Sequence, residues 1–181
     1  KGFLNTVVAE VEEKTKLNPY TASMKIYTTM DREKQLIIND ILNGKSYDWE
    51  NDKVDAGIAV LDTKTGKIIA VGAGRKHEGA KSFNNATMMK KQIGSTAKPL
   101  FDYGPAIEYL NWNTSHQILD AKYSYSDGTE INNWDGGYDG RITLRQALHA
   151  SRNIPALKAF QQVDNKKIIE FATNLGITPE I

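Results

Sequence analysis

A serine and a lysine three residues apart, Ser95 and Lys98, stand in the run Gly94-Ser95-Thr96-Ala97-Lys98-Pro99. A serine hydroxyl is a weak nucleophile until a neighbouring base takes its proton. If Ser95 opens a helix, the Lys98 side chain returns to the same face one turn later. A lysine amine serves as that base only where burial or nearby positive charge lowers its pKa, because desolvation disfavours the ammonium. A helix N-terminus supplies positive potential that helps and also stabilises anionic charge developing nearby. The same spacing suits a serine cap followed by a solvated lysine, so a second element has to decide. Ser151-Arg152-Asn153 is the candidate, since it falls between two expected helices, where a connecting loop presents side chains to a cleft. A second hydroxyl passes a proton between a lysine and a leaving amine, and a carboxamide grips a substrate amide with both donor and acceptor. The alternative is that Ser151 ends one helix and Asn153 caps the next.

Several elements must position these residues. Phe3, Leu4, Val7, Val8 and Val11 recur at helical spacing, predicting an amphipathic helix over 3–15 that Asn18-Pro19 breaks. Met24 to Thr28 reads as a short strand, and Asp31 caps a second helix carrying Leu36, Ile37, Ile41 and Leu42, ended by Asn43-Gly44. Residues 56–61 and 67–73 are two β-rich runs joined through Gly66, which predicts a hairpin, and 72–83 is loop-like. A helix should start near Ser95 and run toward Leu110, with Pro99 in its first turn and Gly104-Pro105 as an interior defect. Residues 111–141 scatter Trp112, Tyr123, Tyr125, Trp134 and Tyr138 among Gly, Asp, Asn and Ser, the composition of a long surface excursion packed by its own aromatics. Thr143 caps a short helix, Pro155 sits in the first turn of another, and a third over 165–175 ends at Gly176.

Composition removes whole classes of function. The chain is 40% hydrophobic and 25% charged, as in folded domains, and its net charge of +1 provides no basic field for nucleic acid. With no cysteine there is no thiol nucleophile and no thiolate zinc site. His77, His116 and His149 lie far apart without ligand spacing, so no metal site is expected. The apolar runs 58–61 and 68–71 are far too short to span a bilayer. The chain opens at Lys1-Gly2-Phe3 without an initiator Met, which raises the expectation that it belongs to something longer.

Ser-x-x-Lys followed by Ser-x-Asn is the order found in penicillin-binding proteins and serine β-lactamases. The likeness extends further. Asn84-Asn85-Ala86-Thr87, Gly94 to Leu100, Tyr103, Ala106 and Glu108 resemble the nucleophile region of class A, bifunctional penicillin-binding proteins. So do Asn133-Trp134-Asp135 and the run from Thr143 to Ala156, while Met24 to Asp31 resembles the segment that joins the family's glycosyltransferase to its transpeptidase. Arg152 stands where class A β-lactamases usually carry Asp, a departure toward the synthases. One match is refused. The family's Lys-Thr-Gly motif follows Ser-x-Asn, whereas Lys64-Thr65-Gly66 precedes Ser95 and sits where a hairpin must turn.

The resemblance implies an α/β fold of the penicillin-binding transpeptidase and serine β-lactamase kind, an antiparallel sheet flanked by helices plus a helical side, here incomplete at its C-terminal part. Residues 1–50 would be interdomain linker and 51–181 the front of the transpeptidase. It implies that Ser95 is acylated, Lys98 is its base, Ser151 relays protons, Asn153 anchors substrate and Trp134 lines the cleft. The implied reaction is D,D-transpeptidation of peptidoglycan stem peptides through an acyl-serine, blocked by β-lactams and needing no cofactor. The rivals are a β-lactam sensor and a D,D-carboxypeptidase or β-lactamase of the same fold. The implied partners are a D-Ala-D-Ala donor, an amine acceptor, β-lactams and the remainder of the domain, without which this segment is expected to be inactive. The implied location is the outer face of a bacterial cell membrane, anchored through a segment outside this chain.

Overall fold

The computed structural model describes residues 2–75 and 83–178, which divide into two compact units meeting in sequence at Lys91 and Gln92. The first unit is built around an antiparallel hairpin. Strand β1 (Ile58–Leu61) pairs with β2 (Ile68–Gly72), Ile58 opposite Gly72 and Val60 opposite Ala70. The turn between them contains Lys64-Thr65-Gly66. Asp62 and Lys67 close it by a 2.8 Å backbone bond, and Gly66 lies at φ 69°, where a side chain would be strained. The refused motif is a turn.

Helix α1 (Gly2–Thr15) packs on β2, as does α2 (Arg32–Leu42), whose Ile38 and Leu42 bury against Ala70 with Ile58 and Val60 alongside. The Asp31 side chain accepts the N–H of Lys34, the expected cap. The buried Gln35 carboxamide donates to Val71 O at 2.9 Å and accepts from Val71 N at 3.0 Å, so a side chain satisfies strand groups that another strand would otherwise take. The strand expected at 24–28 does not form. Among the described residues that stretch has no ladder partner, and the hydrogen bonds to β2 come just beyond it, where Thr29 Oγ1 and Asp31 N donate to Ile68 O and Ile69 O. The loop expected at 72–83 falls mostly on residues 76–82, outside the described residues.

In the second unit, Gly94–Ala97 forms a 3-10 turn, Lys98–Tyr103 a π-helical turn, and α3 (Gly104–Leu110) continues as ordinary helix. Pro99 lies inside the wide turn and Pro105 just beyond it, and neither has an N–H for a regular ladder. The Gly104 N–H instead reaches back to Pro99 O. Any Cβ on Gly104 would lie 2.5 Å from that carbonyl and 2.9 Å from the Phe171 ring, so only glycine fits this crossing.

The 111–141 stretch is more regular than its composition suggests. Strand β3 (Gln117–Asp120) pairs with β6 (Gly140–Thr143), and between them β4 (Tyr123–Ser124) pairs with β5 (Glu130–Ile131). Its aromatics are divided: Trp112 stacks on His116 and packs against the core, but Trp134 is 73% exposed and Tyr125 and Tyr138 are also exposed, while Asp120 and Asn133 are buried. Thr143 and Gln146 form a reciprocal capping box on α4 (Leu144–His149). Helices α5 (Asn153–Gln162) and α6 (Asn165–Asn174) follow. Ala106, Ala147, Ala156 and Ala159 are almost wholly buried with Tyr103, Ile118 and Leu144, small side chains that let the helices approach closely.

Candidate active site

Helix α4 ends in a Schellman motif. Arg152 N donates to Ala147 O at 2.9 Å and Ser151 N to Leu148 O at 3.0 Å. The position that usually takes glycine is occupied by Ser151, at φ 51°. A left-handed conformation costs a non-glycine residue roughly 1–2 kcal/mol. Conformational ease therefore does not account for serine here. What serine adds is a hydroxyl.

That hydroxyl meets Lys98. Lys98 is 6% exposed, and its amine donates to Ser151 Oγ at 3.0 Å, Ser151 O at 2.6 Å and Asn153 Oδ1 at 2.8 Å. The two sequence motifs, far apart in the chain, thus meet at one nitrogen. Burial pulls the Lys98 pKa below its ordinary value, and Asp102, on the same π-helical turn, opposes the shift. All three contact partners are neutral. Of them, only the Ser151 hydroxyl also has a proton to give, so it can turn to donate once the amine loses one.

Ser95 is exposed, and among the described residues its hydroxyl makes no hydrogen bond. It lines an open depression of about 400 Å³ with Lys98, Asp102, Asn153 and three apolar residues of α5, Ala156, Leu157 and Phe160. Catalytic contacts are often loose before substrate binds, so this separation does not disqualify it. Trp134 is not among the depression's lining residues; its Nε1 donates to Ala150 O at 3.0 Å, beside Ser151.

Two features went unforeseen in the sequence. The first is Asp102, whose carboxyl burial pushes up to about 7 against the opposing pull of Lys98. Its signal was available, four residues from Lys98 on one helical face. The second is a polar cluster behind the Ser151 loop. Arg152 Nε lies 2.9 Å from Asp120 Oδ2 and 2.7 Å from Asp139 Oδ2, while its terminal nitrogen bonds both Asp135 oxygens at 2.8 and 2.7 Å. Asn133 donates to Asp120 Oδ1 at 2.8 Å and accepts the Asn153 N–H at 2.8 Å. The Asn153 side-chain nitrogen donates to Asn132 O at 2.9 Å, which fixes the amide so that its oxygen faces Lys98.

The penicillin-binding protein transpeptidase domain model matches residues 56–178. The chain belongs to the penicillin-binding protein transpeptidase family. It is 43% identical over 176 residues to penicillin-binding protein 1A/1B of Bacillus subtilis, covering 97% of this chain and 19% of that protein. Penicillin-binding protein 1A of Streptococcus pneumoniae is 37% identical over 181 residues, covering 97% of this chain and 25% of that one. The solved structure of PonA1 from Mycobacterium tuberculosis in complex with penicillin V superposes with a TM-score of 0.81 at 21% identity, over 99% of this chain and 47% of that one. The fold is therefore the penicillin-binding transpeptidase fold, of which this chain holds a part. It spans about a fifth to a quarter of the length of these two curated relatives.

Proposed function

We propose that this segment carries the nucleophile side of a peptidoglycan D,D-transpeptidase, with residues 51–181 as part of that domain and 1–50 as the approach to it. Ser95 Oγ attacks the carbonyl of the D-Ala-D-Ala amide as the neutral Lys98 amine takes its proton. The tetrahedral oxyanion is stabilised by backbone N–H groups. The C–N bond then breaks, and terminal D-Ala leaves with a proton delivered from Lys98 through Ser151. An amine of a second stem peptide attacks the Ser95 ester, forms the cross-link amide and returns the serine proton by the reverse route. A β-lactam acylates Ser95 likewise, but its amine stays tethered and the ester persists. Asn153 holds the substrate amide, and the exposed Trp134 indole offers a stacking face beside the loop. The protein works at the outer face of the bacterial membrane, on stem peptides supplied there.

The observation that carries this reading is the Lys98 amine, buried, bonded among the described residues to three neutral acceptors, and in direct contact with the one hydroxyl that Ser-x-Asn provides. Family membership and the penicillin V complex of PonA1 support the β-lactam half. The test is mass spectrometry of the complete polypeptide after penicillin exposure. One covalent adduct on the peptide bearing Ser95, lost in Ser95→Ala together with cross-linking in cells, is the expected result. An adduct on another residue overturns the assignment. Rapid turnover of a chromogenic cephalosporin would instead identify a hydrolase.

A further inference from the structure

Arg152 takes no part in that chemistry, yet its side chain is 3% exposed and contacts Asp120, Asp135 and Asp139. Burying a guanidinium among carboxylates is a poor route to stability, so its geometry points to another use. The residues on either side of it are the ones in contact with Lys98. Ser151 sits in a conformation that serine disfavours, and it is held from both directions. Upstream, the Trp134 indole bonds Ala150 O; downstream, Asn133 Oδ1 takes the Asn153 N–H at 2.8 Å. Asn133 is itself bonded to Asp120, which also receives Arg152 Nε. These anchors run through the strap of residues 132–135 and the end of β3.

We infer that Arg152 is a positioning residue, clamped between Asp120 and Asp135 so that left-handed Ser151 and the Asn153 amide close over the Lys98 amine and keep water from it. The inference rests on the proposed reading of Lys98 as the base. Loosening the clamp lets water reach Lys98. Because burial is what lowers that amine, its pKa then rises and the acid limb of acylation moves to higher pH. The charged group acting on Lys98 is Asp102; the residues of α5 that line the depression, Asn153, Ala156, Leu157 and Phe160, are uncharged.

Arg152→Lys and Asp135→Ala in the complete polypeptide separate positioning from charge and from folding. The lysine keeps the positive charge but loses the two-pronged grip. Asp135→Ala removes a negative charge, which by electrostatics alone would lower the Lys98 pKa, the opposite of what loosening does. Acylation by a fluorescent penicillin is followed from pH 5 to 10, with the labelled fraction and the melting transition recorded beside the rate. Both variants are expected to acylate about tenfold or more slowly per labelled site, with the acid limb shifted upward. If only the labelled fraction falls, and rate and limb per labelled site stay wild-type, Arg152 is a structural residue and the inference is overturned. A downward limb in Asp135→Ala overturns it too. Should Arg152→Lys fail to fold, Asp135→Ala decides, since that carboxylate is 35% exposed and better tolerates change. Wild-type protein without a Ser95 adduct would instead sink the proposed function, a result distinct from any of these.

Discussion

Lys98 and Arg152 are both buried in the second unit, Lys98 in contact with the Ser151–Asn153 loop and Arg152 within it, and their surroundings differ in charge. Arg152 is enclosed by three carboxylates, which hold its proton in place; the hydrogen bond it donates to Asp135 leads in raising its pKa, and Asp135 is lowered in return. Lys98 is met by a carbonyl, a hydroxyl and an amide oxygen, neutral groups that orient the amine without stabilising its charge as a carboxylate would. One cation is held by charge, whereas burial lowers the pKa of the other. The difference lies in the neighbours more than in burial, and it can be broken at several points.

The largest effect is expected from removing the Lys98 amine. Lys98→Met keeps the length of the side chain and deletes the proposed base, and should slow Ser95 acylation by about 10²–10⁴-fold, the usual worth of general base catalysis. Stopped-flow labelling with a fluorescent penicillin measures it. A rate within a few fold of wild type would mean that the contrast between the two cations has no catalytic meaning.

A smaller effect tests the charge near Lys98. Asp102 is the carboxyl whose field opposes the lowering of Lys98, and burial lifts it from 3.8 to about 7. A raised carboxyl pKa contributes stability that is whole at low pH and lost as pH rises from about 4 through 7, because the folded protein keeps a proton that the unfolded chain has released. Asp102→Asn does not titrate. Its stability relative to wild type should improve across that window and level off above it, by about 1–2 kcal/mol once part exposure is allowed for. Denaturant titrations at pH 5 and 8.5 read the difference. The same substitution removes a negative charge from Lys98, so the acid limb of acylation should move to lower pH. A limb that moves upward would show that Asp102 acts on Lys98 by something other than its charge.

The sequence made the proposed chemistry legible because each proposed catalytic group sits in a short motif with local meaning: Ser95 and Lys98 one turn apart, Ser151 and Asn153 at a helix junction. The capping residues Asp31 and Thr143 and the Gly66 turn were readable for the same reason, since their partners lie within a few residues. The Arg152 cluster was not. Asp120, Asn133, Asp135 and Asp139 each pass alone for turn formers, and only the pairing of β3 with β6 brings them to Arg152. The π-helical turn was half legible, as Gly104-Pro105 announced a defect but not its kind. Met24 to Thr28 had strand composition without a ladder partner, and among the described residues the groups on that side of β2 go to Thr29, Asp31 and the Gln35 side chain instead.

A third basic residue, Lys64, takes the comparison to the surface. Lys64-Thr65-Gly66 has the letters of the family's third motif, but Lys64 is exposed at the hairpin turn, and Thr65 Oγ1 bonds Asp62 within that same turn. An exposed lysine is neither desolvated nor ringed by carboxylates, so it lacks what distinguishes both Lys98 and Arg152. Lys64→Ala should leave the acylation rate within about twofold of wild type and stability within about 0.5 kcal/mol, the ordinary range for a surface change. Gly66→Ala is the sharper control, because φ 69° disfavours any side chain and should cost about 1–2 kcal/mol while leaving the rate per labelled site unchanged. A Lys64→Ala protein that folds normally but acylates more than tenfold slower would mean that the hairpin turn serves the reaction, and that burial and neutral neighbours are not what select a lysine for this chemistry.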